Sequence, residues 1–156
     1  MARSSAGLLL YREGDASTEV LLVHPGGPYW ARRDDGAWSL PKGEVENGEE
    51  PLDVARREFR EELGTDPPAG PVSALGEVRQ PGGKTVIAWA LPGDLDADEV
   101  RSNTFTIEWP RGSGTFKEFP EVDRAAWFPL DVARVKLLQG QLPLLDRLIE
   151  IVLDRT

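Results

Sequence analysis

Short runs of branched and aromatic residues recur along most of the chain, each bounded by glycine, proline or acidic residues. Runs of this kind are typical of β-strands, in which alternate side chains face a core. The pattern predicts strands at SSAGLLLYR, TEVLLVHP, VSALGEVR, KTVIAWAL, TFTIEWP and RAAWFPL. The sequence QPGG at residues 80–83, between the third and fourth runs, predicts a hairpin turn, because proline and glycine favour tight turns.

Helical periodicity appears in three segments of the chain. Apolar residues spaced three and four apart predict helices over Pro51–Leu63, residues 130–138 and residues 142–153. The first of these has an apolar stripe that should face the core, made of Leu52, Ala55, Phe59 and Leu63. Strands and helices therefore predict one α/β domain over residues 1–156, without strict alternation of the two element types.

Composition and charge narrow the class of protein. With 156 residues and 40% hydrophobic content, the chain is long enough to bury a core. It contains no cysteine, which excludes disulfides, thiolate metal sites and cysteine nucleophiles. Its net charge of −9 gives no general attraction to nucleic acid or to an anionic membrane. No apolar run is long enough for a signal peptide or a membrane span, so we expect a cytoplasmic protein without membrane or nucleic-acid partners.

One stretch, GEVENGEEPLDVARREFREELG at residues 43–64, concentrates acidic residues. It has eight acidic residues and three arginines, which leaves a net charge of −5. Glu58, Glu61 and Glu62 are spaced i, i+3 and i+4, so they should cluster on a side of the helix other than the apolar stripe. They lie near the helix C-terminus, where the helix dipole disfavours acids. The cluster is either a solvated charged face or a set of oxygen ligands for a hard cation such as Mg²⁺.

The larger pattern distinguishes these two interpretations. Gly43, Glu49 and the run REFREELG at residues 57–64 stand at fixed spacings, and together they resemble the Nudix box. Every fixed position of that signature is matched except the last, where the family usually has an aliphatic residue and this chain has Thr65. The preceding WSLPKG, residues 38–43, looks like the strand and turn that lead into the box.

The resemblance implies a fold, an activity and a cofactor. The fold would be an α/β/α sandwich around a mixed β-sheet. The activity would be hydrolysis of a nucleoside diphosphate linked to another group, with Mg²⁺ or Mn²⁺ as the cofactor. The metal ligands implied by position are Glu58, Glu61, Glu62 and the carbonyl of Gly43. Glu49 would lie close to the metals or pair with Arg57, which would orient the carboxylates.

The chemistry of a pyrophosphate bond agrees with this assignment. Metal ions must neutralise the phosphates and acidify a water, and a neighbouring carboxylate can take the proton of that water. Glu58 is our first candidate for this catalytic base and Glu61 the second. Glu118 and Glu121 are either ordinary surface acids or additional carboxylates that approach the metals. His24, the only histidine, is expected to be a structural residue at a strand end.

Lys42 and Trp38 are the candidates for substrate binding. The Lys42 ammonium group would meet a phosphate, and the Trp38 ring would either stack on a base or pack in the core. Trp30 and Trp109 have the same two interpretations. The sequence leaves the oligomeric state open.

The expected function is Mg²⁺-dependent hydrolysis of a small-molecule nucleotide, such as a dinucleoside polyphosphate or a nucleoside triphosphate. One alternative is a Nudix-like module that senses nucleotides without hydrolysis, although such modules usually lose box carboxylates and none is missing here. A second alternative is removal of pyrophosphate from RNA 5′ ends, for which a chain of net charge −9 is a poor electrostatic partner. The isomerase branch of the family needs a cysteine, which this chain lacks.

Overall fold

The computed structural model of the protein describes residues 3–154. Within that range the chain forms eight β-strands and three α-helices. The strands are β1 (Ser4–Glu13), β2 (Thr18–Pro25), β3 (Lys42–Glu44), β4 (Ser73–Arg79), β5 (Thr85–Pro92), β6 (Thr104–Glu108), β7 (Phe116–Pro120) and β8 (Val122–Pro129). The helices are α1 (Pro51–Leu63), α2 (Leu130–Lys136) and α3 (Leu142–Asp154). In this part of the chain, no helix combines the length and the apolar character needed to cross a bilayer.

Six of the strands form one mixed sheet in the order β4-β5-β1-β2-β8, with β3 paired to β1. Strands β1 and β5 are parallel, and the other pairs in this sheet are antiparallel. β2 and β3 share one edge of β1, because β3 pairs with its beginning, Ser5 to Gly7, and β2 with its end, Tyr11 to Glu13. This division places β3 beside the helix that carries the acidic cluster.

Two hydrophobic layers cover the two faces of the sheet. Along β1, Leu8 and Leu10 face α1, whereas Leu9 and Tyr11 face α2 and α3. This alternation follows from the two-residue period of a strand. The helix layers on both sides of a mixed sheet confirm the expected α/β/α sandwich.

The six strands and the hairpin turn predicted from the sequence are all present. Strand β7 was not anticipated, because FKEFP does not alternate polar and apolar residues clearly. In WSLPKG, which the resemblance gave as a strand and turn, Trp38 and Ser39 form only isolated bridges, and strand β3 begins at Lys42. The second helix ends at Lys136 rather than at residue 138. Its apolar spacing continues through Leu137 and Leu138, but these residues pair with Trp38 instead of extending the helix.

The hairpin formed by β6 and β7 is a separate two-stranded sheet. Phe105 pairs with Phe119 and Glu108 pairs with Phe116, so these two pairs lie on opposite faces of the hairpin. The Phe105 ring contacts the loop that follows β2: a Cβ atom on Gly27 would lie 2.8 Å from its Cζ atom. One face of the hairpin therefore packs on this loop, while Phe116 is 66% exposed on the other face.

Helix α1 is fixed at both ends and along its buried face. Pro51 occupies its first turn, where a missing N–H costs nothing. Gly64 ends the helix in the left-handed conformation with φ of 76°, and its N–H donates to the Arg60 carbonyl at 2.8 Å. Phe59 is fully buried against the sheet. This burial makes Phe59 the principal apolar anchor of the helix.

We expect Phe59→Ala to lower the free energy of unfolding by about 3–5 kcal/mol, because it removes a fully buried ring and leaves a cavity. Urea denaturation measures this change. Val135→Ala on the exposed side of α2 is the control and should change stability by less than about 0.5 kcal/mol. A loss below about 1 kcal/mol for Phe59→Ala would show that α1 is not anchored by this ring.

Candidate functional site

The carboxyl group of Glu58 lies directly over Gly43, where helix α1 meets strand β3. A Cβ atom on Gly43 would lie 2.0 Å from the Glu58 Cδ atom, closer than any side chain permits. Glycine at this position therefore allows the backbone of β3 to approach the carboxylates of α1. The structure thus brings together the Gly43 backbone and the Glu58 carboxyl group, two of the positions that the resemblance singled out.

Glu62 lies on the buried side of α1 and is only 9% exposed. This corrects the expectation that all three glutamates lie away from the buried stripe. Its Oε2 atom accepts a hydrogen bond from the backbone N–H of Lys42 at 3.2 Å. Burial raises the pKa of Glu62 to about 8, although this hydrogen bond and the positive charge of Lys42 both favour the carboxylate.

Two further carboxyl groups share the electrostatic environment of this site. Burial raises the pKa of Glu58, and the negative charge of Glu61 raises it further. Burial and the charge of Glu61 also raise the pKa of Glu121. Glu58, Glu61, Glu62 and Glu121 therefore form one group of mutually repelling carboxylates, called here the carboxylate cluster.

The structure separates the two acidic residues that the sequence left as alternatives. Glu121 follows β7 and belongs to the carboxylate cluster. Glu118 lies on the hairpin, where its Oε1 atom accepts a hydrogen bond from the Thr104 hydroxyl at 2.7 Å. Because Glu118 and Glu121 are so close in sequence, the sequence alone could not show which of them approaches the other carboxylates. The geometry of the hairpin shows that it is Glu121.

Lys42 lies in a cleft of about 300 Å³ next to the carboxylate cluster. The cleft is lined by Val23, Pro25, Trp30, Ala37, Ser39, Lys42, Glu62, Glu121, Val122 and Leu138. Burial lowers the pKa of Lys42, against the opposing effect of the charge on Glu62. A cleft with one ammonium group, two carboxyl groups and an aromatic ring has the polar and apolar surfaces that a small charged ligand requires.

Trp38, the other candidate for substrate binding, does not line this cleft. Its ring is 3% exposed and packs edge-on against His24 and Phe128, with ring centroids 5.2 and 5.0 Å apart. Its indole N–H donates to Asp34 at 2.8 Å. It borders a second cavity of about 450 Å³ beside β8. In the cleft itself the aromatic residue is Trp30, and the role of Trp38 in substrate binding stays a prediction.

Arg57 lies between Glu49 and the carboxylate cluster. Its Nη1 atom donates to the Glu49 carboxylate at 2.5 Å, and its Nη2 atom is 3.6 Å from Glu58 Oε1. This hydrogen bond lowers the pKa of Glu49. Of the two placements expected for Glu49, the structure shows the pair with Arg57, and this geometry suits an arginine that orients Glu58.

His24 is fully buried and connects β2 to its surroundings. Its Nδ1 atom is 2.8 Å from the Asp123 carboxylate, and its Nε2 atom is 2.6 Å from the carbonyl oxygen of Arg33. The histidine thereby holds the loop of residues 26–37, which carries Trp30, against β8. These contacts agree with the structural role expected for this residue.

The donors of the carboxylate cluster fit a divalent metal ion. Among residues 3–154, no three acidic or imidazole side chains already surround a single point. However, the donors of the cluster are carboxylate oxygen atoms, the ligands that Mg²⁺ and Mn²⁺ prefer. The raised pKa values of Glu58, Glu62 and Glu121 show that burial and repulsion disfavour their negative charges. A bound cation relieves the same repulsion.

Comparison with known proteins gives a family and a set of similar chains. The family model for the NUDIX domain matches residues 1–148. An 8-oxo-(d)GTP phosphatase of Mycolicibacterium smegmatis is 31% identical over 145 residues, which cover 85% of this chain and 37% of that protein. An RNA pyrophosphohydrolase of Halorhodospira halophila is 45% identical over 56 residues, which cover 35% of this chain and 30% of that protein. The chain therefore spans about a third of the length of these curated relatives.

Two solved structures share the fold. The crystal structure of a C. elegans Ap4A hydrolase binary complex has a TM-score of 0.68 at 20% identity, covering 96% of this chain and 98% of that one. The NUDIX domain of Shewanella oneidensis NrtR in complex with ADP ribose has a TM-score of 0.64 at 19% identity, covering 97% and 89%. At these identities the likeness concerns the fold.

Burial of Glu62 predicts a pH-dependent stability in the metal-free protein. The folded-state pKa of about 8 is above the ordinary value of 4.5, so the fold binds this proton more tightly than the unfolded chain does. Below about pH 4.5 Glu62 is protonated in both the folded and the unfolded state, so its burial carries no charge penalty. As the pH rises from about 4.5 to about 8, the unfolded chain releases this proton while the fold retains it, and the free energy of unfolding falls. Glutamine has no titratable carboxyl group, so the Glu62→Gln variant escapes this loss. Its free energy of unfolding should rise relative to wild type by up to a few kcal/mol between pH 5 and 8.

Urea denaturation of EDTA-treated wild type and Glu62→Gln at pH 5, 6.5 and 8 tests this expectation. Glu150→Gln, an exposed carboxylate on α3, is the matched control and should follow wild type at each pH. A difference between wild type and Glu62→Gln that stays constant with pH would contradict the burial of an ionisable carboxyl group at this position.

Proposed function

The chain belongs to the NUDIX family, and from this premise we propose that it is a hydrolase that cleaves a pyrophosphate bond in a small nucleotide with the help of a divalent cation. The observation that supports the proposal is the carboxylate cluster around Gly43, beside a cleft that contains Lys42 and Trp30. The proposal includes a single domain over residues 1–156, a cytoplasmic location and a small-molecule partner.

The proposed ligands for the cation are the carboxylates of Glu58, Glu61 and Glu62 and the carbonyl of Gly43. When bound, Mg²⁺ or Mn²⁺ supplies positive charge against the phosphates and makes a water molecule more acidic. The contact between Gly43 and Glu58 supports this set, because it places a backbone carbonyl and a carboxylate of the set on adjoining elements.

The chain's own residues supply proton transfer and binding. Glu58 is the proposed catalytic base, with Glu61 as the alternative, because its raised pKa makes it better able to hold a proton taken from water. Arg57 would keep the Glu58 carboxylate oriented from a distance of 3.6 Å. The Lys42 ammonium group would bind a phosphate of the substrate inside the cleft.

The substrate proposed for this site is a nucleoside triphosphate or a dinucleoside polyphosphate. The similar proteins named above include an 8-oxo-(d)GTP phosphatase and an Ap4A hydrolase, both of which carry nucleotide substrates in their names. Aromatic surface from Trp30 and positive charge from Lys42 in one cleft suit a nucleotide of this size.

Two other functions have a specific observation behind them. The NrtR domain has a similar fold and is in complex with ADP ribose, so a module that only binds a nucleotide is the second candidate. Against this, every acidic position of the box is occupied. The partial similarity to an RNA pyrophosphohydrolase favours RNA as the substrate. Against this, the net charge of −9 gives no general attraction to RNA.

We expect hydrolysis to require a divalent cation and to fall by roughly 100-fold or more in kcat for Glu58→Gln, because this change removes the proposed base and a cation ligand. Glu150→Gln should retain wild-type turnover. Thermal unfolding gives a second measurement: Mg²⁺ should raise the Tm of wild type by mass action and raise that of Glu62→Gln less. Near wild-type turnover in a folded Glu58→Gln protein would show that Glu58 is neither the base nor a required cation ligand, whereas nucleotide binding by wild type without hydrolysis with any divalent cation would favour the binding module.

The substrate class is tested by comparing kcat/KM for diadenosine tetraphosphate, a nucleoside triphosphate, ADP-ribose and a 5′-triphosphorylated RNA at one salt concentration. The small polyphosphate nucleotides should be hydrolysed best, and RNA poorly, because of the negative charge of the protein. A tenfold preference for RNA would show that the negative net charge does not prevent RNA from being the substrate. A preference for ADP-ribose would retain the family chemistry but reject this substrate class.

A further inference from the structure

Two consecutive aromatic residues, Tyr29 and Trp30, make different contacts in the loop that follows β2. Trp30 lines the cleft beside Lys42 and Glu62. Tyr29 contacts Trp109, which follows strand β6 on the hairpin. The chain therefore presents a second aromatic surface outside the cleft, formed by Tyr29 and Trp109 and called here the aromatic corner.

The geometry of the aromatic corner leaves ring surface available to a planar ligand. The two ring centroids are 5.4 Å apart and the ring planes are inclined by 81°, so the pair is T-shaped. Tyr29 is 56% exposed. Two rings at a right angle can receive a third ring that stacks on one and meets the other with its edge, an arrangement that aromatic groups prefer.

The aromatic corner is held in place by contacts on the two segments that carry it, the loop after β2 and the β6–β7 hairpin. The Phe105 ring packs so closely on Gly27 that a Cβ atom there would be 2.8 Å from its Cζ atom. At the far end of the hairpin, the Glu108 carboxylate accepts hydrogen bonds from the N–H groups of Gly112 and Gly114 at 2.8 and 3.2 Å. A surface that is already ordered loses little conformational freedom when it binds a ligand.

Both segments that carry the aromatic corner are joined at their beginnings to residues of the carboxylate cluster by backbone hydrogen bonds. The N–H of Asn103, just before β6, donates to the Glu61 carbonyl at 2.8 Å. The N–H of Glu121, just after β7, donates to the Asn103 carbonyl at 2.8 Å. The N–H of Gly26 donates in turn to the Glu121 carbonyl at 2.9 Å. Glu121 thus lines the cleft with Trp30 and is joined by backbone hydrogen bonds to the segments that lead to Tyr29 and to Trp109.

We propose that the aromatic corner of Tyr29 and Trp109 is a second base-binding site, so that the preferred substrate carries a nucleobase at each end of its phosphate chain. One base would occupy the cleft beside Trp30, the other would stack in the corner, and the phosphates would lie along the carboxylate cluster. This inference rests on the proposed function and names its substrate class as a dinucleoside polyphosphate.

The hairpin offers a matched control for this site. Phe116 is also aromatic and is 66% exposed, but its pairing with Glu108 places it on the face opposite to Phe105. If the exposed aromatic residues of the loop after β2 and of the hairpin served only to bind another protein, Tyr29 and Phe116 would be equally dispensable for binding a nucleotide. If the corner binds a base, only Tyr29 contributes.

The test compares Tyr29→Ala, Trp30→Ala and Phe116→Ala by kcat/KM for diadenosine tetraphosphate and for ATP. Tyr29→Ala should lower the ratio of the two values, dinucleotide over mononucleotide, by roughly tenfold, the size of one lost stacking contact, mainly through KM. Trp30→Ala should lower both values together, and Phe116→Ala should change neither. An unchanged ratio for Tyr29→Ala, or a change for Phe116→Ala of the same size, would overturn the second base site.

Calorimetric titration separates this inference from the proposed function. Glu58→Gln protein is titrated with diadenosine tetraphosphate and with ATP, with and without Tyr29→Ala. A roughly tenfold weaker binding of the dinucleotide alone supports the second site, even if wild type hydrolyses neither nucleotide and the proposed function fails. Equal affinities with and without Tyr29→Ala, or no binding of either nucleotide, overturn it.

Discussion

The candidate site depends on the close approach of α1 to β3 at Gly43. The Glu58 carboxyl group occupies the space that any side chain at position 43 would need. Because β3 is held at one edge of β1, this contact fixes the position of the helix relative to the sheet. The same approach buries Glu62 and brings it to the backbone N–H of Lys42. Because Gly43 has no Cβ atom, α1 can bring the carboxyl groups of Glu58 and Glu62 to the edge of the cleft.

Much of the fold could be predicted from periodicity, because buried faces of long elements impose regular spacing. The alternation of Leu8 with Leu9 and the stripe of Phe59 on α1 are both visible in the sequence. The short strands β3 and β7 could not be predicted in this way. Their pairing depends on neighbours distant in sequence, as does the end of α2, where Leu137 pairs with Trp38.

The candidate site was predictable where its residues share one helix. The spacing of Glu58, Glu61 and Glu62 placed them together, but not the burial of Glu62, which depends on the position of β3. The choice between Glu121 and Glu118 depended on the hairpin. The sequence named both Trp30 and Trp38 as candidates, and only the course of the loop in the structure shows that Trp30 is the one that lines the cleft.

The attachment of the β6–β7 hairpin makes it a modular unit. It leaves and rejoins the protein at Asn103 and Glu121, whose backbones are hydrogen-bonded to one another at 2.8 Å. The ends are therefore fixed independently of the segment between them, and the entropy of closing such a segment changes only slowly with its length. The length and the sequence of residues 104–120 can therefore change during evolution without moving Asn103 or Glu121. Changes in this hairpin can alter which ligand is bound while the carboxylate cluster stays the same.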